Sequence, residues 1–314
     1  MINFFNEYPL VKWILVGFGI LYFLDKYGIF SPIDNLINRI GKYKFKNQAH
    51  LNNPKLKEII TFFNKKQFSN IEQTLKSMNS SERSFAFESL GQYGDIKTSD
   101  EWINKEPYND LPKIIKGYQL IHKAWGIRGR GTIDSVSNEK LVSFKKHLKK
   151  AEAILIEVNN KNSIFKANAV ACLLTIYKAI DANRQYVHQL FEDVISEFPE
   201  DVELHKNYLE FVSPKWGATV EEYENYLNHI NEWSPFIQQL ILAKYYFDLN
   251  YFHDYQDSDG KIEQLMTEVK AAPIENNNLY RYELYKILYW TASNLGMTEY
   301  EAYYKKMALP YLED

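Results

Sequence analysis

The sequence predicts an all-α protein, in which an N-terminal transmembrane helix precedes a tetratricopeptide-like right-handed stack of helix pairs. Three observations carry this expectation. Residues Trp13–Leu24 are uncharged throughout. Beyond Pro54, apolar residues recur at helical spacing and strand-like alternation is scarce. The helices also fall into pairs of roughly 35 to 40 residues, the period of tetratricopeptide-like solenoids. A globular all-α domain built from the same helices is the competing architecture.

The first element is a membrane anchor over residues 1–32. A spanning helix needs roughly 20 apolar residues. The stretch from Tyr8 to Phe30 is long enough, with Lys12 placed to snorkel and Asp25 and Lys26 beyond the other end. Tyr8, Trp13, Tyr22 and Tyr27 flank the run as an interfacial belt would. A cleaved signal peptide fits less well, because Glu7 lies in the n-region and no small-x-small site follows Leu24. An interfacial helix is the other reading, against which the run is apolar on all sides. Residues 33–53 form a basic connector. Arg39, Lys42, Lys44 and Lys46 follow the run and only Lys12 precedes it, so the positive-inside rule puts the body in the cytoplasm.

The body is expected over residues 54–314. Leu141, Phe144, Leu148, Ala151 and Leu155 make one stripe on a helix over Leu141–Val158, which pairs with Ser163–Ile180. Val187, Leu190, Phe191, Val194, Ile195 and Phe198 make another over Arg184–Phe198, followed by Asp201–Val212. A third pair is Thr219–Glu232 and Pro235–Leu249. Ser69–Glu72, Thr219–Glu222 and Thr298–Glu301 have capping-box spacing, and Asp201 is placed to cap the helix after Pro199.

Ala124, Trp125, Arg128, Gly129 and Gly131, then Ala151 and Leu155, then Pro214, Trp216 and Gly217 form a spaced set. On these residues the chain resembles a bacterial helical-repeat family of unknown function. That family carries an Ala-Trp-x-x-Arg-Gly-x-Gly element, an Ala-x-x-x-Leu helix and a Pro-x-Trp-Gly-Gly element. Ala218 replaces the second glycine of the last, and the resemblance covers residues 80–250. It implies an α-helical repeat fold and brings no reaction with it.

Both glycine-bearing elements read as helix ends. A shared pocket follows if they meet. Trp125, Arg128, Arg130, Lys215 and Trp216 would then present aromatic faces and cations to a protein or acidic peptide partner. The plainer reading is that Arg128 serves helix carbonyls and both tryptophans pack between repeats.

Other chemistry finds little support. A net charge of −3 gives no footprint for nucleic acid. The single cysteine, Cys172, lies in an apolar helical run and leaves no disulfide framework. No Walker loop, nucleophile elbow or His-Glu-x-x-His motif occurs. Asp257–Gly260 lacks the outer ligands of an EF-hand, and His188 with Glu192 reads as a solvated i,i+4 pair. No catalytic residue, metal ligand or cofactor is therefore assigned.

The expectation is a non-catalytic, protein-binding module, single-pass in the bacterial inner membrane with a cytoplasmic body. Two alternatives stay open: an immunity protein that neutralises a toxic effector, and an enzyme with a site near Arg128.

Overall fold

A computed structural model describes residues 54–129, 135–160, 163–180, 182–253, 255–272, 274 and 280–309. The Trp13–Leu24 run, the connector over 33–53, Arg130 and Gly131 lie outside the described residues. Among the described residues no helix is long and apolar enough to cross a membrane.

The described chain is all-α, with fourteen α-helices and two short 3-10 turns. In order, α1 is Pro54–Asn64, α2 Phe68–Lys76, α3 Ser80–Tyr93, α4 Ile96–Lys105 and α5 Asp110–Arg128. Next come α6, Asn138–Asn159, α7, Lys166–Tyr177, α8, Arg184–Ile195, and α9, Val202–Phe211. A 3-10 turn at Pro214–Trp216 leads into α10, Val220–Leu227, and a second at Ile230–Glu232 into α11, Pro235–His253. The last three are α12, Lys261–Ala271, α13, Arg281–Leu295, and α14, Thr298–Ala308.

Local chemistry sets most helix starts. Asn79 accepts from the Glu82 amide while Glu82 accepts from the Asn79 amide, a reciprocal box at the head of α3. Thr219 and Glu222 form the expected box at α10, and Asp201 caps α9 through the Leu204 amide. Asp257 accepts from the Ile262 and Glu263 amides, so the acidic turn before Gly260 caps α12.

Two expected boxes do not form. Phe68 stacks on Trp102 with centroids 4.5 Å apart, which draws the start of α2 back to Phe68 and places Ser69 inside it. Glu72 turns to Lys76 instead. At α14, the Thr298 amide bonds the Gly296 carbonyl in a tight reversal, and no side chain caps the helix.

The helices make a continuous ladder in which α1, α3, α5, α7, α9, α11 and α13 each pack on the next, with even-numbered helices alongside. Most of each predicted stripe faces it: Phe144, Leu148, Ala151 and Leu155 of α6 are buried, as are Val187, Leu190, Phe191 and Val194 of α8, while Leu141, Ile195 and Phe198 stay partly exposed.

One helix breaks the pattern of a simple solenoid, where a repeat touches only its neighbours. Helix α3 packs on α7 and α9 as well as on α1 and α5. Phe85 meets Tyr280 and Tyr282 edge-on at 5.3 and 6.0 Å. Residues 83–87 of α3 are all buried, as are Ala167–Leu174 of α7. A helix without an exposed face belongs in a core. The ladder therefore curls around α3, which occupies its inner side.

Close approach at α3, α5 and α6 depends on two glycines. A Cβ on Gly91 would lie 2.7 Å from the Tyr118 Cβ and 3.0 Å from the Tyr118 carbonyl carbon, and one on Gly117 would lie 2.7 Å from a Leu155 methyl. Several polar groups in this core are paired. Buried Arg83 donates to the Met78 carbonyl at 2.7 Å and to the Ile164 carbonyl at 3.1 Å, and meets Asn168 at 3.3 Å. Many tyrosines are core residues with a bonded hydroxyl: Tyr304 donates to the Met266 carbonyl at 2.6 Å and Tyr280 to that of Ser81 at 2.9 Å.

Candidate functional site

The Trp125 and Trp216 elements meet. Helix α5 runs on past Trp125 to Arg128, and Gly129, at φ +77°, ends it by donating to the Trp125 carbonyl. Gly217, at φ +87°, ends the 3-10 turn that holds Trp216. The two indoles pack edge to face with centroids 5.9 Å apart, and Phe144 meets Trp125 from α6 at 5.0 Å.

The two rings line a pocket of about 240 Å³. Its wall is built from Trp125, Trp216 and Lys215, and its base from Lys178, Glu210 and Lys244, with Ser213 and Asp248 alongside. The Arg128 guanidinium lies 5.4 Å from the Trp125 ring centre and donates to the Gly129 carbonyl at 3.2 Å. The structure thus gathers Trp125, Arg128, Lys215 and Trp216 in one place, while Arg130 is outside the described residues.

Sequence reasoning missed the base of the pocket. Lys178 is the C-terminal cap of α7, and its ammonium bonds Glu210 of α9. Lys244 of α11 bonds the other oxygen of Glu210 at 2.9 Å. Burial pushes the Glu210 carboxyl up, but Lys178 and then Lys244 outweigh it and hold it well below the ordinary carboxylate range. Burial acts first on Asp248 too and raises it, although Lys244 opposes this. The Lys178 ammonium sits 5.9 Å from the Trp125 ring centre and 5.4 Å from that of Trp216, a double cation–π arrangement. Lys215 adds a third such contact, 5.8 Å from Trp216.

A polar stripe continues down α9. Lys206 bonds Glu203 at 2.9 Å and Glu283 of α13 at 2.7 Å. Glu203, Lys206 and Glu210 share one face at i, i+3 and i+7. This spacing ordinarily marks a solvated face, so it gives no sign that the stripe is covered by neighbouring helices.

Arg128, Lys178 and Lys215 each sit at or just beyond a helix C-terminus, where cations complement the macrodipole. Yet the terminal carbonyls of Leu174, Ile176, Tyr208 and Glu210 already accept backbone amides, and the Lys178 ammonium turns to the Glu210 carboxylate.

The histidines resolve differently from their sequence reading. His188 pairs with Glu222 at 3.2 Å and with the Tyr208 hydroxyl at 2.6 Å, not with Glu192, because its ring points toward α9 and α10. His205, fully buried, contacts the Pro199 carbonyl and the Tyr226 hydroxyl, both at 2.8 Å. Cys172 is buried, and burial pushes its thiol well up. Among the described residues no group of three or more His, Cys, Asp or Glu is placed to hold a metal.

A larger cavity of about 800 Å³ lies at the N-terminal turns of α3, α9 and α11. Its charged lining residues, Glu82, Glu197, Glu200 and Asp201, are all acidic, which disfavours an anion. The capping amides there are already used by Asn79, Asp201 and Ser81. Comparison with protein-family models, with curated proteins and with solved structures finds no match for this chain.

Proposed function

We propose that this chain is a protein-binding module without catalytic activity, built as a tetratricopeptide-like right-handed stack of helix pairs. It is held at the inner face of a bacterial membrane by Trp13–Leu24, with its body in the cytoplasm. The observation that carries the reading is the Trp125–Trp216 pocket, where two partly exposed indoles and Lys215 stand at the ends of rigid helices. Tryptophan anchors in preformed pockets are the usual centres of protein interfaces. At about 240 Å³ the pocket is below the size of most small-molecule sites, and it suits one side chain or chain end of a partner. Glu210, held ionised with a lysine on each oxygen, is poorly placed as a proton carrier, which favours binding over chemistry.

Tethering would raise the effective concentration of the module at the membrane. Cross-linking in cells followed by purification tests the reading, with Trp216→Ala beside the unaltered chain. A partner recovered with the latter and lost with the former is expected. Recovery that ignores Trp216 would count against the pocket as the contact. Membrane fractions extracted with alkaline carbonate should retain the chain, and Leu15→Asp with Phe18→Asp should release it. Release of the unaltered chain would remove the tether from the proposal.

A further inference from the structure

We infer that the pocket lined by Trp125 and Trp216 is a carboxylate-binding site, which takes an acidic side chain or a C-terminal carboxylate of the partner onto Lys178, Lys215 and Lys244. This rests on the reading of the pocket as the module's contact, and it names the chemistry that contact selects.

Four observations lead to it. The aromatic faces are already supplied with cations. Lys178 lies over both rings and Lys215 over Trp216. A cationic guest would meet these ammonium groups, and an anionic guest would be drawn to them. Charge points the same way, because Lys178, Lys215 and Lys244 stand against Glu210 and Asp248, a balance of three positive to two negative. Arg128, 5.4 Å from the Trp125 ring centre, adds a further positive charge at the rim.

Donors are also in hand. An ammonium has three N–H groups. Lys178 and Lys244 each give one to Glu210, which leaves two on each in a place where their side chains are only 8% and 16% exposed. Glu210 therefore acts as a positioning residue, holding two lysines at a fixed spacing. Ser213, 3% exposed, lines the same pocket, and a serine hydroxyl can act as a further donor there. Carboxylates supply strong acceptors for ammonium and hydroxyl donors together.

The test uses the full chain and four small probes, read by tryptophan fluorescence and calorimetry. N-acetyl-aspartate N-methylamide carries a side-chain carboxylate and N-acetyl-alanine a terminal one. N-acetyl-asparagine N-methylamide and N-acetyl-lysine N-methylamide are the neutral and cationic controls. At least one carboxylate should saturate and bind at least tenfold more tightly than either control, and the tighter of the two names the source. Lys215→Glu should weaken it at least tenfold at unchanged helicity, since Lys215 is exposed and its replacement leaves the core alone. Equal binding of the aspartate and asparagine probes, no saturation by either carboxylate, or indifference to Lys215→Glu would overturn the inference. Partner capture that depends on Trp216 would survive such a result, so failure here is distinguishable from failure of the binding-module reading.

Discussion

Trp125 and Trp216 meet edge to face at 5.9 Å, although four helices separate them in the chain. The contact ties the C-terminal end of α5 to the turn after α9, and it forms one wall of the pocket. Aromatic pairs in this geometry contribute about 0.5–1.5 kcal/mol beyond their buried area. A double-mutant cycle of Trp125→Leu and Trp216→Leu, followed by urea unfolding, should return a coupling energy in that range. Strict additivity would mean that the rings are neighbours without being partners.

Glu210 is the anchor beneath them. Its removal deprives Lys178 and Lys244, both largely buried, of the carboxylate that bonds them. Breaking a buried pair from one side costs about 3–5 kcal/mol. Glu210→Ala is expected to destabilise the fold by that order in chemical denaturation, against less than about 1 kcal/mol for Glu101→Ala, whose bridge to Lys66 is exposed.

His205 makes acid stability measurable at one position. Burial, opposed by the Pro199 carbonyl, lowers its value from the ordinary 6.5 to about 4. The folded state therefore resists a proton that the unfolded chain accepts below about pH 6.5. Stability from this group is present at neutral pH and is lost as pH falls from about 6.5 towards 4. By proton linkage the loss is about 3 kcal/mol at pH 4. The drop in unfolding free energy between pH 7 and pH 4 should be smaller by about that amount in His205→Gln than in the unaltered chain. Parallel pH profiles would show that His205 titrates normally.

Gly91 and Gly117 should differ in how their substitution is repaired. Alanine at either gains up to about 1 kcal/mol of helix propensity. Overpacking in a tight crossing costs about 1–3 kcal/mol. At Gly117 the three atoms nearest the new methyl all belong to the Leu155 side chain, so Leu155→Ala should relieve part of the strain of Gly117→Ala. At Gly91 it meets the Cβ and backbone of Tyr118, which cannot move away. Thermal unfolding should thus show a compensating pair for Gly117 and a larger single loss for Gly91→Ala.

Much of this protein was legible in the sequence where the interaction is local. The all-α class, the buried stripes of α6 and α8, the Thr219 box, the Asp201 cap and the glycine stops at Gly129 and Gly217 all depend on residues a few positions apart. Spacing alone decides such features, because a helix turn brings i, i+3 and i+4 together whatever surrounds it. The association of Trp125 with Trp216 was also within reach, since both stand at helix ends in matching elements.

The tertiary structure decided the rest. The capping spacings at Ser69 and Thr298 gave way to core packing and to a tight reversal. His188 chose Glu222 over Glu192, its neighbour on the same helix. Glu203, Lys206 and Glu210 have the spacing of a solvent-facing stripe, yet α7, α11 and α13 cover them and supply Lys178, Lys244 and Glu283. Periodicity reveals which residues share a face, but not what that face meets. That choice belongs to contacts between distant segments, and here the curl of the ladder around α3 made it.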